Sequence, residues 1–178
     1  MKRSAYAFLA LTIATTGFGC SGGDDDDDFG GGGVTRVRID DRTLSVGEGT
    51  VVAVDFEFDR QDIFIDDDNV VVVVRLPGQL RYRDDTSEID GVGSDDGVGA
   101  RVTECAGETY LEYDLDRFDL DDAANPDGSA DARLTLTVDA VSPGASVEIE
   151  AVAEENGVPY SCGAAFLSDE SEFVSVVD

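Results

Sequence analysis

Along much of this chain apolar side chains recur at every second position, the spacing that lines one face of a β-strand. In residues 51–59, Val52, Val54, Phe56 and Phe58 fall on one side and Asp55, Glu57 and Asp59 on the other. In residues 131–139, Ala132, Leu134, Leu136 and Val138 alternate with Arg133, Thr135 and Thr137. Residues 146–154 set Val147, Ile149, Ala151 and Ala153 against Glu148, Glu150 and Glu154, and residues 111–116 set Leu111, Tyr113 and Leu115 against Glu112, Asp114 and Asp116. Each reads as an antiparallel strand with one face on a core and one in water. Residues 70–74 are all valine and predict a central strand covered on both faces. Residues 34–39, 80–83, 158–166 and 173–177 are further strand candidates. Turn signals stand between them: Val46-Gly47-Glu48-Gly49, Leu76-Pro77-Gly78, Asn125-Pro126-Asp127-Gly128 and Pro143-Gly144. No long amphipathic helix stands out, although residues 120–125 have room for one turn. Eight or nine short strands separated by turns predict an all-β sandwich.

The N-terminus carries an address. Lys2 and Arg3 precede a mostly apolar stretch, residues 5–18, which is too short and too rich in Thr and Gly for a membrane span. It ends at Gly17-Phe18-Gly19-Cys20, which resembles the bacterial lipobox, with Gly17 where that motif usually has Leu. The resemblance implies that Cys20 becomes the acylated first residue of the mature protein and that the lipid membrane is a partner through it. The alternative is an ordinary cleaved signal peptide in which Cys20 is incidental. Ser21 follows the cysteine instead of Asp, which in lipoproteins of this type implies the outer membrane. Residues 21–33 read Ser-Gly-Gly, five Asp, Phe and four Gly, a composition that buries too little apolar surface to fold. Asp24–Asp28 could alternatively be a cation-binding tract. The expected organisation is a signal peptide over 1–19, a lipidated Cys and linker over 20–33, and one sandwich domain over 34–178.

Twelve basic residues stand against 40 acidic ones, a formal net charge of −28. Past residue 19 every basic residue is arginine. Such a surface repels nucleic acid and anionic lipid and favours solubility. With Cys20 assigned to lipid, Cys105 and Cys162 are an even pair in an exported chain and predict a disulfide; two buried free thiols are the other reading.

Residues 70–82, five valines followed by Arg-Leu-Pro-Gly-Gln-Leu-Arg-Tyr, and the later run from Leu134 to Ala153 resemble the strands and Leu-Pro turn of the bacterial cell-surface conserved repeat. The resemblance spans roughly residues 50–155. It implies an immunoglobulin-like antiparallel β-sandwich with a scaffold or adhesion role and offers no catalytic residue to carry over.

The chain contains no histidine, which removes Ser-His-Asp and Cys-His arrangements, the commonest general base and nearly all zinc sites. Paired carboxylates could support glycoside hydrolysis. With no Trp, sugar-stacking platforms would have to come from Tyr82, Tyr110, Tyr113 or Tyr160. Calcium is the sharper alternative, because hard cations take oxygen ligands from loop carboxylates. The candidates are Asp119, Asp121, Asp122 and Asp127, with further acidic clusters at residues 66–69 and 84–96. None fits the EF-hand spacing, and solvated acidic loops are the plainer reading. The expected function is non-enzymatic: an envelope-anchored module with a structural or binding role toward a protein or glycan, needing no cofactor unless calcium. A calcium-dependent adhesion module and, more remotely, a carboxylate glycosidase are the alternatives.

Overall fold

The computed structural model describes residues 32–59, 68–89, 98–120 and 129–178. They form eleven strands in two sheets. The first sheet runs β1 (Gly33–Ile39), β3 (Gly49–Asp59), β9 (Ser129–Ala140) and β5 (Leu80–Tyr82), with β6 (Glu88–Ile89) also on β9. The second runs β2 (Thr43–Ser45), β11 (Glu170–Val177), β10 (Gly144–Glu155), β4 (Val70–Leu76), β8 (Glu108–Leu115) and β7 (Arg101–Cys105). Every pairing is antiparallel except one. After β1 the chain crosses to the other sheet, where β2 pairs in parallel with β11, Ser175 opposite Thr43. This is an all-β sandwich, as the alternation predicts, and of the immunoglobulin-like class that the resemblance implies.

Alternation determines which side faces inward. Val54 of β3 stands opposite Leu134 of β9, and Val52 opposite Leu136. These residues, with Phe56 and Phe58, meet Val72, Val74, Leu111, Tyr113, Leu115 and Ile149 of the second sheet in one buried core. The Tyr113 hydroxyl is not stranded there. It lies 2.8 Å from Ser87 Oγ, which is 2.8 Å from the Tyr82 hydroxyl, so a short polar chain satisfies the buried groups. Burial nevertheless pushes the Tyr113 phenol up.

β4 is buried on both faces, as its unbroken valine run predicts. Val70, Val72 and Val74 join the main core, while Val71 and Val73 join Tyr110 in a second cluster on the outer side.

Three features depart from the sequence reading. Residues 158–166, expected as a strand, are part of the connection between β10 and β11. Pro159 has no N–H to give a ladder, Gly163 sits at φ 90°, and Tyr160 and Phe166 pack down on the second sheet. β7, β2 and β6 were not anticipated. β7 is an edge strand with no clean alternation of burial, and β2 and β6 are three and two residues long. β7 joins β8 through the two-residue turn Ala106-Gly107, with φ 53° and 90° and Cys105 opposite Glu108. Positive φ at both positions is the geometry that follows the right-handed twist of a hairpin, and Asn-Gly or Asp-Gly would have announced it. Gly78, in the Leu-Pro-Gly turn, packs against this hairpin so closely that a Cβ would lie 2.5 Å from the Gly107 carbonyl oxygen.

The helical turn α1 spans Arg117–Leu120, earlier than the segment foreseen for it; residues 121–125 lie outside the described residues. A reciprocal cap starts it. Asp119 N–H donates to Asp116 Oδ1 at 3.2 Å besides the Asp116 carbonyl at 3.1 Å, and Asp116 N–H, which no helical bond would reach, donates to Asp119 Oδ2 at 3.1 Å.

Candidate functional site

The outer face of the second sheet holds the chemistry. Its side chains come in cross-strand rows: Val71 beside Glu154 and Asp114, Val73 beside Val152 and Glu112, Arg75 beside Glu150 and Tyr110. Left bare, the valines and Tyr110 would form an apolar stripe on the surface. Residues 156–169, the strap, cover it.

The strap leaves β10 where Asn156 N–H donates to the Asn69 carbonyl at 2.8 Å. Cys162 is bridged to Cys105 at the far edge of the sheet, with Cα atoms 5.7 Å apart. The return leg ends where Ser168 Oγ meets Glu150 Oε1 at 3.0 Å and Asp169 N–H donates to the Ala151 carbonyl at 3.0 Å. The Asp169 carboxylate then accepts from Val34 N–H at 2.9 Å and Ala153 N–H at 3.1 Å. It thereby ties the start of β1 to the end of β10 that runs on past its pairing with β11. Both roots of the strap consequently sit beside the point where the N-terminal residues join the domain. Gly33 lies against Asp169 and Gly32 against Glu155.

Between its roots the strap is held by an ion pair and an aromatic stack. Glu112, only 6% exposed, takes two bonds from Arg101, Nε to Oε1 at 2.8 Å and Nη2 to Oε2 at 2.6 Å. It also accepts the Tyr160 N–H at 2.5 Å, while Arg101 Nη2 donates to the Tyr160 carbonyl at 3.1 Å. Both backbone groups of Tyr160 are therefore gripped by one bidentate pair. The Tyr160 ring stacks on Tyr110 with centroids 3.9 Å apart, and Phe166 stands edge-on to both. Arg75 lies 5.6 Å over the Phe166 ring and pairs with Glu150. Burial raises the Tyr110 phenol, and its bonds to Tyr160 and Glu108 add to the effect.

Beneath the strap a cavity of about 250 Å³ remains. Val71, Val73, Val152, Val158, Phe166 and Leu167 are among its lining residues. At its rim Val158 is 79% exposed and Leu167 80%, the two most exposed large apolar side chains among the described residues. The outer face of the first sheet is different in kind. There Asp55 accepts from both Arg38 and Arg133 in a shallow polar crevice that also takes in Arg36, Glu57 and Asp131.

Of the residues singled out by sequence, Cys105 of β7 and Cys162 of the strap are bridged. Asp119 lies in α1 with its carboxylate committed to the helix cap, and burial raises its pKa, with Asp116 and Asp114 adding repulsion. Cys20, Asp121, Asp122 and Asp127 lie outside the described residues, as do Asp24–Asp28 and most of the other acidic clusters. No group of three or more carboxylates or thiols placed to hold a metal occurs among the described residues. The tyrosines considered as sugar platforms are engaged internally: Tyr110 and Tyr160 stack on each other, Tyr113 lies in the core, and Tyr82 packs against the core and bonds Ser87. Sequence reasoning missed Arg101, Glu112, Tyr160 and Phe166 as a unit. Glu112 read as a solvent-facing residue of an alternating strand, and only the strap's path reveals what covers it.

No family model matches the chain, and no curated protein matches it. Solved structures to which it is similar include the pilus backbone of Streptococcus pneumoniae (12% identity, 67% of this chain and 27% of that chain, TM-score 0.48). Others are the N-terminal domain of a Streptococcus gordonii adhesin (11%, 82% and 32%, TM-score 0.47) and a type II cohesin domain from the cellulosome of Acetivibrio cellulolyticus (14%, 80% and 90%, TM-score 0.45). The chain spans about a quarter of the pilus backbone chain. At these identities the likeness concerns fold alone.

Proposed function

We propose that this chain is an exported, non-catalytic module of the bacterial cell envelope, anchored through acylated Cys20 and serving a structural or binding role. The observation that carries the reading is the Cys105–Cys162 bridge across the strap. Structural disulfides persist in oxidising compartments, and this one fastens the longest connection among the described residues over the second sheet. It supports export independently of the N-terminal signal. The carboxylates beneath the strap and on the first sheet's outer face support a non-catalytic role. Glu112, Glu150, Asp55 and Asp139 are each paired with arginine, which leaves them poorly placed to act as a general acid or a nucleophile. The polar crevice around Asp55, at the other face of the sandwich, is the surface best suited to a protein or glycan partner.

Fractionation of cells making the full chain and its Cys20→Ala variant tests the anchor. The full chain is expected with the membranes, in the outer-membrane fraction. The variant is expected as an unprocessed precursor that takes up no labelled fatty acid. Equal fractionation of the two would overturn the lipid anchor, and a full chain retained in the cytoplasm would overturn export.

A further inference from the structure

The cavity under the strap and the junction with the N-terminal residues are neighbours. Val158 follows Glu155 by three positions, and Glu155 accepts the Asp59 N–H and packs against Gly32. Leu167 precedes Asp169 by two, and Asp169 holds the Val34 N–H. The two most exposed large apolar side chains among the described residues thus flank the mouth of an apolar cavity beside the exit of the N-terminal residues. Cys20 is twelve residues from Gly32, so at most about 40 Å of extended chain separates an acyl anchor from this face. By composition the segment has a root-mean-square reach of roughly 20 Å.

We propose that the strap is the face the domain lays against its own bilayer, with Val158 and Leu167 entering the interface and the cavity between them receiving the end of a lipid acyl chain. The proposal rests on the reading of Cys20 as the anchor. Two aliphatic side chains and a small cavity bind a bilayer weakly by themselves. A tether of this length raises the effective concentration into the range where weak contact becomes the prevailing state. The charge of the domain determines which lipid suits it. Glu154 lines the cavity and the chain is strongly acidic, so a zwitterionic surface is accepted and an anionic one is resisted. A strap turned to the membrane leaves the crevice around Asp55 directed away from it.

The chain has no Trp, so one introduced Trp reports one place. The mature chain from Cys20 onward, unacylated and with Cys105–Cys162 oxidised, offers Cys20 as its free thiol for coupling to a maleimide lipid in phosphatidylcholine vesicles. This supplies the tether whether or not cells acylate Cys20. Failure of the contact is thereby separated from failure of the anchor. Leu167→Trp is expected to shift its emission to the blue and to lose at least half its intensity to lipids brominated on their acyl chains. Val158→Trp, a second reporter should the first disturb the strap, is expected to do the same. Val141→Trp, in the turn at the opposite end of the sandwich, is expected to do neither. Replacing half the phosphatidylcholine with phosphatidylglycerol is expected to reduce the quenching severalfold. Emission from both strap reporters that matches the Val141→Trp control, or quenching that increases on anionic vesicles, would overturn the proposal.

Discussion

Arg101 and Glu112 face each other across β7 and β8 and share two hydrogen bonds, of 2.8 and 2.6 Å, at the place where the strap's Tyr160 crosses. The pair is lopsided: the carboxylate is almost fully buried and the guanidinium is half exposed. The carboxylate is therefore the member whose loss does more to the strap, because it also holds the Tyr160 N–H.

Glu112→Ala is expected to lower stability by about 2 kcal/mol, the usual consequence of leaving a covered donor without an acceptor. Glu112→Gln, which can still accept the Tyr160 N–H, should lose less. Urea unfolding followed by far-ultraviolet circular dichroism reads both. Midpoints that leave Ala no less stable than Gln would show that the clamp contributes nothing.

The Cys105–Cys162 bond closes a loop with a sequence separation of 57. Chain-entropy reasoning places its contribution at about 4 kcal/mol, or roughly 10 °C in melting temperature for a domain of this size. Thermal scans with and without reductant, beside a count of reagent-accessible thiols in unfolded unreduced protein, check this. Two labelled thiols at Cys105 and Cys162 would mean that no bond had formed.

Asp119 gives the fold a pH dependence of definite sign. Burial raises its folded pKa above the unfolded value, so the native state holds the proton more tightly. This contribution favours folding in acid and is lost as pH rises through the carboxyl range toward the folded pKa. Asp119→Asn keeps an acceptor for the Asp116 N–H and removes the buried charge. It is expected to be more stable than the wild type at pH 7 and to close the gap near pH 3. A variant less stable at neutral pH would show that the charge strengthens the cap more than burial penalises it.

Calcium is expected to raise the melting temperature no more than magnesium at equal ionic strength. Asp119 is committed to its cap, and isolated carboxylates are screened alike by either ion. A genuine site at ten times its dissociation constant would add about 1.4 kcal/mol. A calcium-specific rise of that size, abolished by changing Asp119, Asp121 and Asp122 to Asn, would establish a calcium-dependent module in place of the proposed one.

The alternating rows of β3, β9 and β10 were legible because a half-buried strand advertises its inner face at every second residue, and a slip of one position would turn that face to water. The same logic marked the β4 valines as covered on both sides. Residues 158–166 deceived for a related reason: Val158, Tyr160 and Phe166 are spaced like a strand, yet Pro159 and Gly163 interrupt any ladder, Tyr160 and Phe166 pack against a sheet formed elsewhere, and Val158 stays exposed. α1 was misplaced by a few residues because its cap, Asp116 with Asp119, is one acidic pair among many.

By itself, then, the sequence determined the class of fold, the inward faces of the principal strands and the two cysteines available for a crosslink, since these depend on local periodicity and residue chemistry. Tertiary structure alone decided the order of the strands, the crossing of β2 to the other sheet, and the union of Arg101, Glu112, Tyr110, Tyr160 and Phe166 under one strap. Residues up to 65 positions apart build that site, and no local pattern encodes which of many exposed glutamates a distant segment will cover. Non-local contacts of this kind require the strands of the second sheet side by side, because only together do they offer the surface that the strap covers.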